Sequence, residues 1–134
     1  MFRKLKAVSL AVRNAEEAMR TYTQTFGLPP SPIEEHPMFG YRGPRLRVGD
    51  AILDLLEPTD PSSPVARFIQ RRGEGLYLIT LEVDNLEGYV KGLEAKGVQV
   101  IWDAVEPGSR PPHPIIHPRS THGVLIELAH PGQG

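Results

Sequence analysis

Two carboxylates stand in the middle of two similar apolar segments. Asp54 lies in "GDAILDLLEP" (residues 49–58) and Glu127 in "HGVLIELAHP" (residues 122–131), and the two segments align at an offset of 73 residues. Two carboxylates held close together in apolar surroundings repel each other and are poorly solvated, so the pKa of one of them rises. Such a pair can share a proton and act as acid and base. We therefore predict Asp54 and Glu127 as the catalytic pair if the protein is an enzyme.

A second pair of segments indicates that the chain is a doubled unit. Residues 5–22 align with residues 76–93 at an offset of 71, with five identities: Leu5/Leu76, Leu10/Leu81, Val12/Val83, Asn14/Asn85 and Glu16/Glu87. The nearly equal offsets of the two matches place them in one repeat, and internal repeats of this kind predict a duplicated supersecondary module.

Each half shows the same order of elements. A β-branched, apolar strand comes first, and an asparagine suited to cap a helix follows it (Asn14 or Asn85). The helices are predicted over residues 15–25 and 86–96, and each ends before a glycine. Further strands follow, including a hairpin that turns at residues 49–50 and a second hairpin that turns within residues 119–123. The proline-rich stretch 29–43 is predicted to be largely a loop.

The predicted fold class is α+β, with two βαβββ modules forming one cupped mixed sheet in a single domain of 134 residues. The modules cover residues 1–58 and 74–134. A linker over residues 59–73 joins them and contains a short helix, for which Ser63 and Pro64 supply the start signal.

The alternation of side chains along a strand gives the two acids a common direction. If the uninterrupted apolar face of each strand lies under a helix, Asp54 and Glu127 point to the opposite, concave face. Ala7 and Leu78 occupy repeat-equivalent positions of the first strands and are expected beside them. The alternative reading places each acid on an open, solvated sheet face.

Composition restricts the class of function. The chain is 40% hydrophobic and 23% charged, carries a formal net charge of −1 and contains no cysteine. These values predict a globular protein without disulfides or thiolate sites, and they offer no general attraction to nucleic acid or anionic membranes. No apolar run approaches the length of a membrane span. We expect a cytoplasmic protein with no membrane and no nucleic-acid partner.

Several segments resemble a known superfamily. Paired βαβββ modules, together with "SLAVRNAEEAMRTYTQTFGL" and "IIHPRSTHGVLIELAHP", resemble the vicinal oxygen chelate proteins, which include glyoxalases, extradiol dioxygenases and bleomycin-resistance proteins. The resemblance is strongest to methylmalonyl-CoA epimerases and covers almost the whole chain. It implies a coenzyme A thioester as ligand, an isomerase activity, a divalent metal and a homodimer.

The metal site implied by this resemblance departs from the pattern. Its four ligands, a histidine, an acid or glutamine, a second histidine and a glutamate, fall on Ala7, Asp54, Leu78 and Glu127. Both histidines are missing, and two carboxylates alone suit Co²⁺, Zn²⁺ or Ni²⁺ poorly. We therefore predict a degenerate metal site, with no metal and no other cofactor.

The remaining histidines leave another arrangement open. His113 and His117 flank the predicted strand of "HPIIHP", and His113 is expected to approach Glu127 if their faces coincide. A displaced metal site could then use His113 or His117. The alternative reading is turn chemistry, since four of the five histidines precede a proline. The loop residues Ser120, Thr121 and His122 are predicted to contact a ligand together with Ala7, Leu78, His113 and His117.

Three functions stay open on this basis. The first is binding of a small acyl-thioester or carboxylate ligand on a degenerate metal site. The second is a metal-independent epimerase, isomerase or lyase that uses Asp54 and Glu127 as acid and base. The third is an enzyme whose metal ligands have been rearranged.

Arginine side chains near the hairpin and on the linker helix either bind coenzyme A phosphates or are simply solvated; they are Arg42, Arg45, Arg47, Arg67, Arg71 and Arg72.

Overall fold

The computed structural model describes residues 2–102 and 113–132. Its strands are β1 (Phe2–Ala11), β2 (Glu34–His36), β3 (Tyr41–Gly43), β4 (Arg45–Val48), β5 (Ala51–Pro58), β6 (Gly75–Val83), β7 (Val100–Trp102), β8 (Pro114–Ile116) and β9 (Ile126–Ala129). Its α-helices are α1 (Ala15–Arg20), α2 (Pro64–Arg72) and α3 (Leu86–Ala95). Parallel and antiparallel strand pairs both occur, so the α+β class with mixed strand pairing is confirmed.

The chain forms two compact units. One covers Ala7–Tyr77, and the other combines the residues from Leu78 onward with the residues up to Lys6. In the first, the strand order is β2-β3-β5-β1, with β4 also paired to β5. In the second, the order is β6-β9-β8-β7. The second unit therefore has the predicted βαβββ sequence of elements.

The first unit follows the same plan with one broken strand. Arg42 pairs with Glu57 and Arg45 pairs with Asp54, so β3 and β4 keep one antiparallel register along the same side of β5. Pro44 lies between them and has no N–H to give to a ladder, although its carbonyl accepts a hydrogen bond from Leu55 N at 3.1 Å. β3 and β4 thus act as one strand, and the module is again βαβββ.

The local signals for helices are confirmed. The side chains of Asn14 and Asn85 accept hydrogen bonds from Glu17 N and Gly88 N, and Ser63 accepts one from Ala66 N. Each satisfies a backbone N–H that the first turn of a helix leaves without a partner. After Arg20, the chain continues as a π-helical segment over Thr21–Thr25, so the predicted helix 15–25 changes its hydrogen-bonding pattern partway.

The prediction of a loop over residues 29–43 is partly wrong. Glu34–His36 forms β2, a 3-10 turn covers Pro37–Phe39, and β2 pairs with β3 in an antiparallel register. The prolines at 29, 30 and 32 all precede β2, and the remaining one, Pro37, starts the 3-10 turn. The proline-rich composition of this stretch gave no indication of β2, which is only three residues long.

Helix packing determines the direction of the acids in each unit. In the first, Ala18 and Met19 of α1 pack with Leu53, Leu55 and other apolar side chains. In the second, Val90 and Leu93 of α3 pack with Ile126, Leu128 and their neighbours. Asp54 lies between Leu53 and Leu55 in β5, and Glu127 lies between Ile126 and Leu128 in β9. Because side chains alternate along a strand, Asp54 points away from α1 and Glu127 points away from α3, as predicted.

The strand registers carry the repeat into three dimensions. Ser9 lies beside Asp54 in the parallel pair β1–β5, and Thr80 lies beside Glu127 in the parallel pair β6–β9. Ser9 and Thr80 are themselves repeat equivalents at the offset of 71. Both modules therefore place a hydroxyl residue next to their acid, which independent strand pairings would not be expected to reproduce.

Within the described residues, no helix is long and apolar enough to cross a membrane.

Candidate functional site

Glu127 has a polar side chain near each of its carboxylate oxygens. Thr80 Oγ1 donates a hydrogen bond of 2.9 Å to Oε1, and His113 Nδ1 lies 3.6 Å from Oε2. β6 and β9 pair in parallel, which brings Thr80 into register with Glu127. Ile115 of β8 is opposite Glu127, and His113 lies two residues before Ile115, directly ahead of the strand. The expected approach of His113 to Glu127 is thus confirmed.

His113 is the most constrained titratable side chain of this group. Its relative exposure is 8%, although it precedes β8 rather than lying within it. Nε2 is buried and has no hydrogen-bond partner among the described residues. A buried polar atom without a partner is rare in folded proteins. His113 and Glu127 therefore form a carboxylate–imidazole pair in which Nε2 has no partner within residues 2–102 and 113–132.

Asp54 has a different environment. Arg45 lies directly opposite it in the β4–β5 hairpin, and Arg45 Nε donates a hydrogen bond of 2.9 Å to Asp54 Oδ1. The side chain of Asp54 is 18% exposed and that of Arg45 is 36% exposed, so water screens the ion pair in part. Asp54 is therefore balanced by a cation within its own unit. The approach of Asp54 to Glu127 expected from the repeat stays a prediction.

The two acids thus occupy equivalent strand positions but have different neighbouring side chains. On the parallel side, each has an equivalent neighbour, Ser9 or Thr80. On the antiparallel side, Asp54 faces Arg45 whereas Glu127 faces Ile115. A guanidinium engages one acid, and a hydroxyl with an imidazole engages the other.

The residues present do not fit the divalent metal that the resemblance implies. The resemblance assigns two of the four ligand positions to Ala7 and Leu78, which are 2% and 8% exposed and have no oxygen, nitrogen or sulfur in their side chains. In the described part of the chain, no group of three or more His, Cys, Asp and Glu side chains is arranged to hold a metal ion. Of the residues that the structure describes, only His113 and Glu127 would serve a site rearranged around this pair.

The loop after β8 uses two of its four predicted ligand-binding side chains, His117 and Thr121, in hydrogen bonds within the loop. His117 caps a 3-10 turn over Pro118–Ser120, with Nδ1 accepting a hydrogen bond from Arg119 N at 3.0 Å. Thr121 Oγ1 donates to the carbonyl oxygens of Pro118 and Val124. Ser120 and His122 are exposed, and His122 has a φ of 60°. His113 therefore joins Glu127, while His117 serves its own turn.

Two further polar clusters lie outside this group. Arg42 donates hydrogen bonds to Glu16, Glu35 and Glu57 at 2.7 to 3.1 Å, and it holds the pKa of Glu16 down at about 2. Arg42 and Arg45 are thus occupied by carboxylates instead of standing open for phosphate. In the other unit, the carboxylate of Glu82 is almost fully buried, 3.3 Å from Arg3 Nε and 3.8 Å from Lys6 Nζ.

Sequence reasoning missed Thr80 and Arg45 as partners of the acids. The turn at residues 49–50 implies that Arg45 lies opposite Asp54, so the hairpin carried this signal. The Thr80–Glu127 contact joins residues 47 apart in the chain and depends on the parallel register of β6 and β9. The equivalence of Ser9 with Thr80 was the available hint.

Comparison with known proteins identifies the family. A model of the Glyoxalase/Bleomycin resistance protein/Dioxygenase superfamily matches residues 4–128. The mitochondrial methylmalonyl-CoA epimerase of Homo sapiens is 31% identical over 127 residues, which cover 93% of this chain and 72% of that protein. The methylmalonyl-CoA epimerase of Mycobacterium tuberculosis has 29% identity and a TM-score of 0.85, and the match covers 98% of this chain and 90% of that one.

A third relative has a coenzyme A derivative bound. It is a variant of the Streptomyces coelicolor methylmalonyl-CoA epimerase in complex with 2-nitronate-propionyl-CoA, with 26% identity and a TM-score of 0.85. The match covers 99% of this chain and all of that chain. The family model spans nearly the whole sequence. The chain belongs to the Glyoxalase/Bleomycin resistance protein/Dioxygenase superfamily and resembles the methylmalonyl-CoA epimerases within it.

Proposed function

We propose that this protein binds a small acyl thioester of coenzyme A, with the acyl group on the sheet face that carries Glu127. One observation carries the proposal: Thr80, Glu127 and His113 form an ordered polar group on the face opposite α3, and one nitrogen of that group has no partner among the residues that the structure describes. A relative of similar length binds 2-nitronate-propionyl-CoA. Polar groups that converge in apolar surroundings are typical of small-molecule sites.

The proposal includes a degenerate metal site. Divalent transition metals in proteins prefer imidazole or thiolate ligands, and the two positions that would supply imidazole hold Ala7 and Leu78. The ligand is therefore proposed to bind through hydrogen bonds and apolar contacts. The catalytic role predicted for Asp54 is proposed only for the second candidate below, since Arg45 already forms an ion pair with it.

Exposed arginines are proposed to interact with the phosphates of coenzyme A. Arg47, Arg67 and Arg71 are exposed, whereas Arg42 is held by three glutamates. Guanidinium groups bind phosphate in bidentate geometry and remain charged at all physiological pH values. Replacement of Arg67 and Arg71 by glutamine is expected to weaken binding of coenzyme A thioesters, with an effect that decreases at high salt.

The direct test is calorimetric titration of tag-free protein, after treatment with a chelator, with propionyl-CoA and methylmalonyl-CoA. We expect saturable binding without added metal, and no gain in affinity when Co²⁺, Ni²⁺, Zn²⁺ or Mg²⁺ is restored. Elemental analysis of the purified protein is the matched control. Near-stoichiometric metal, or binding that depends on metal, would support rearranged ligands instead. No binding under either condition would reject the proposal.

The second candidate function is a metal-independent isomerase, epimerase or lyase. The contact between His113 and Glu127 favours it, because a carboxylate beside an imidazole is a common arrangement in proton transfer. Incubation of one methylmalonyl-CoA epimer with chelator-treated protein tests it. Formation of the other epimer, and its loss in Asp54→Asn and Glu127→Gln, would support acid–base chemistry by both acids.

We also propose that the protein is a homodimer. β7 stands at the end of its unit's strand order, and its residues Ile101 and Trp102 are both more than 40% exposed. Strand edges of this kind are commonly covered by another chain. Analytical ultracentrifugation is expected to give twice the mass of the chain, and a monomer at micromolar concentration would exclude the dimer.

A further inference from the structure

We infer that Nε2 of His113 is the atom that accepts a proton from the bound ligand, and that Glu127 orients this imidazole. The inference rests on the proposed binding of an acyl thioester to the same face. It changes the role expected for Glu127 from the sequence, because the carboxylate becomes a positioning group and the imidazole becomes the base.

The contacts of Glu127 support a positioning role. Oε1 accepts the hydrogen bond from Thr80, and Oε2 faces His113 Nδ1 at 3.6 Å. An ionised carboxylate has lone pairs only and accepts hydrogen bonds. The proton of a neutral imidazole is therefore favoured on Nδ1, where it faces Oε2. Nε2 then carries the lone pair, which is the tautomer that a proton acceptor requires.

The missing hydrogen-bond partner of Nε2 among the described residues points to a ligand as that partner. The atom is buried and lacks a hydrogen-bond partner among the described residues, while every other side chain of this group has one. A buried acceptor left unsatisfied is unfavourable unless something completes it. At the other end of β8, His117 has a hydrogen-bond partner in the adjacent turn, because its Nδ1 accepts a hydrogen bond from Arg119 N. A ligand with an acidic hydrogen would supply the partner that Nε2 of His113 lacks among the described residues.

The substrate class that fits is an acyl thioester with a hydrogen on C2. The carbonyl group makes that hydrogen acidic. In the step that we propose, the C2–H bond breaks and its electron pair forms a C1–C2 double bond. The carbonyl π electrons move onto oxygen to give an enolate, and the proton forms a bond to Nε2. Reversal returns a proton to C2, so no oxidant, reductant or second substrate is needed. In heavy water, the returned proton is replaced by a deuteron.

The first measurement is the tautomer of His113 in wild-type protein, by two-bond ¹⁵N–¹H correlation spectra of the imidazole side chains. We expect a protonated Nδ1 and an unprotonated Nε2. Addition of propionyl-CoA should move the Nε2 resonance of His113 and leave that of His36 unchanged. The opposite tautomer, or no response of His113 to a thioester that binds, would overturn the inference.

The second measurement is incorporation of deuterium at C2 of propionyl-CoA in heavy water, with chelator present. Wild-type protein should incorporate deuterium, and His113→Gln should lose at least 100-fold in rate while still binding the thioester, a loss typical of removing a general base. His36→Gln is the matched histidine control and should exchange normally. Pivaloyl-CoA has no hydrogen on C2 and should bind without exchange.

The outcomes separate the two proposals. Binding of propionyl-CoA without exchange, or equal exchange by His113→Gln, would overturn the role of His113 and leave the binding function in place. A wild-type protein that binds no acyl thioester would reject both. If His113→Gln unfolds, as judged by circular dichroism, Glu127→Gln replaces it in the exchange experiment, and undiminished exchange by that variant would contradict the orienting role.

Discussion

Arg45 and Asp54 occupy directly opposite positions of the β4–β5 hairpin, with Arg45 Nε 2.9 Å from Asp54 Oδ1. Glu127, the repeat equivalent of Asp54, has Ile115 opposite it instead. Both modules therefore have an acid at this position, and the residue opposite the acid on the antiparallel strand differs between them. The ion pair leaves one acid balanced within its own hairpin, whereas the other is available to orient an imidazole.

The Arg45–Asp54 pair is expected to couple measurably. In a double-mutant cycle with Arg45→Met, Asp54→Asn and the double variant, the coupling should be about 0.5–1 kcal/mol, since the pair is partly exposed. Urea denaturation measures the free energy of unfolding of the four proteins. A coupling indistinguishable from zero would show that the hydrogen-bonded geometry contributes nothing to stability.

Thr80 is expected to stabilise Glu127 through its hydroxyl group. Thr80→Val keeps the shape of the buried side chain and removes the donor to Oε1, so the free energy of unfolding should fall by about 1–3 kcal/mol. Thr80→Ser retains the hydroxyl and is the control for the hydrogen bond. If the valine and serine variants are equally stable at pH 7, the hydrogen bond does not stabilise the site.

The Glu16–Arg42 contact predicts a loss of stability in acid. Arg42 lowers the pKa of Glu16 from 4.5 to about 2, chiefly by a side-chain hydrogen bond. The folded state therefore favours the ionised form, so this contribution is fully present above pH 4.5 and is lost as the pH falls toward 2. Thermal melts of Glu16→Gln should show a smaller decrease across this range than wild-type melts. Parallel curves would contradict the assignment.

Gly43 is required by the close approach of β3 to β5. A Cβ atom added at this position would lie 1.6 Å from the carbonyl oxygen of Leu55. Gly43→Ala is therefore expected to destabilise the protein by about 3 kcal/mol or more, as other severe steric changes do. Gly92, inside α3, has nothing within 4 Å of such a Cβ, so Gly92→Ala should stabilise by about 0.5–1 kcal/mol. Chemical denaturation distinguishes these opposite signs.

Local signals in the sequence were enough for the elements and their faces. Asn14, Asn85 and Ser63 cap helices because a cap involves residues two or three apart in the chain. Alternation along β5 and β9 placed Asp54 and Glu127 opposite the helix-covered faces, since the apolar pattern specifies which side is buried. The short strand β2 was missed because three residues among prolines carry almost no periodicity.

The sequence by itself determined the duplicated α+β plan and the acid in each module, and it has Ala7 and Leu78 where the resemblance implies histidines. The tertiary structure decided which partners those acids have. Thr80 meets Glu127 only through the parallel register of β6 and β9, and His113 reaches it only because β8 pairs beside β9. Such contacts join residues far apart in the chain, and strand pairing, rather than local preference, brings them together.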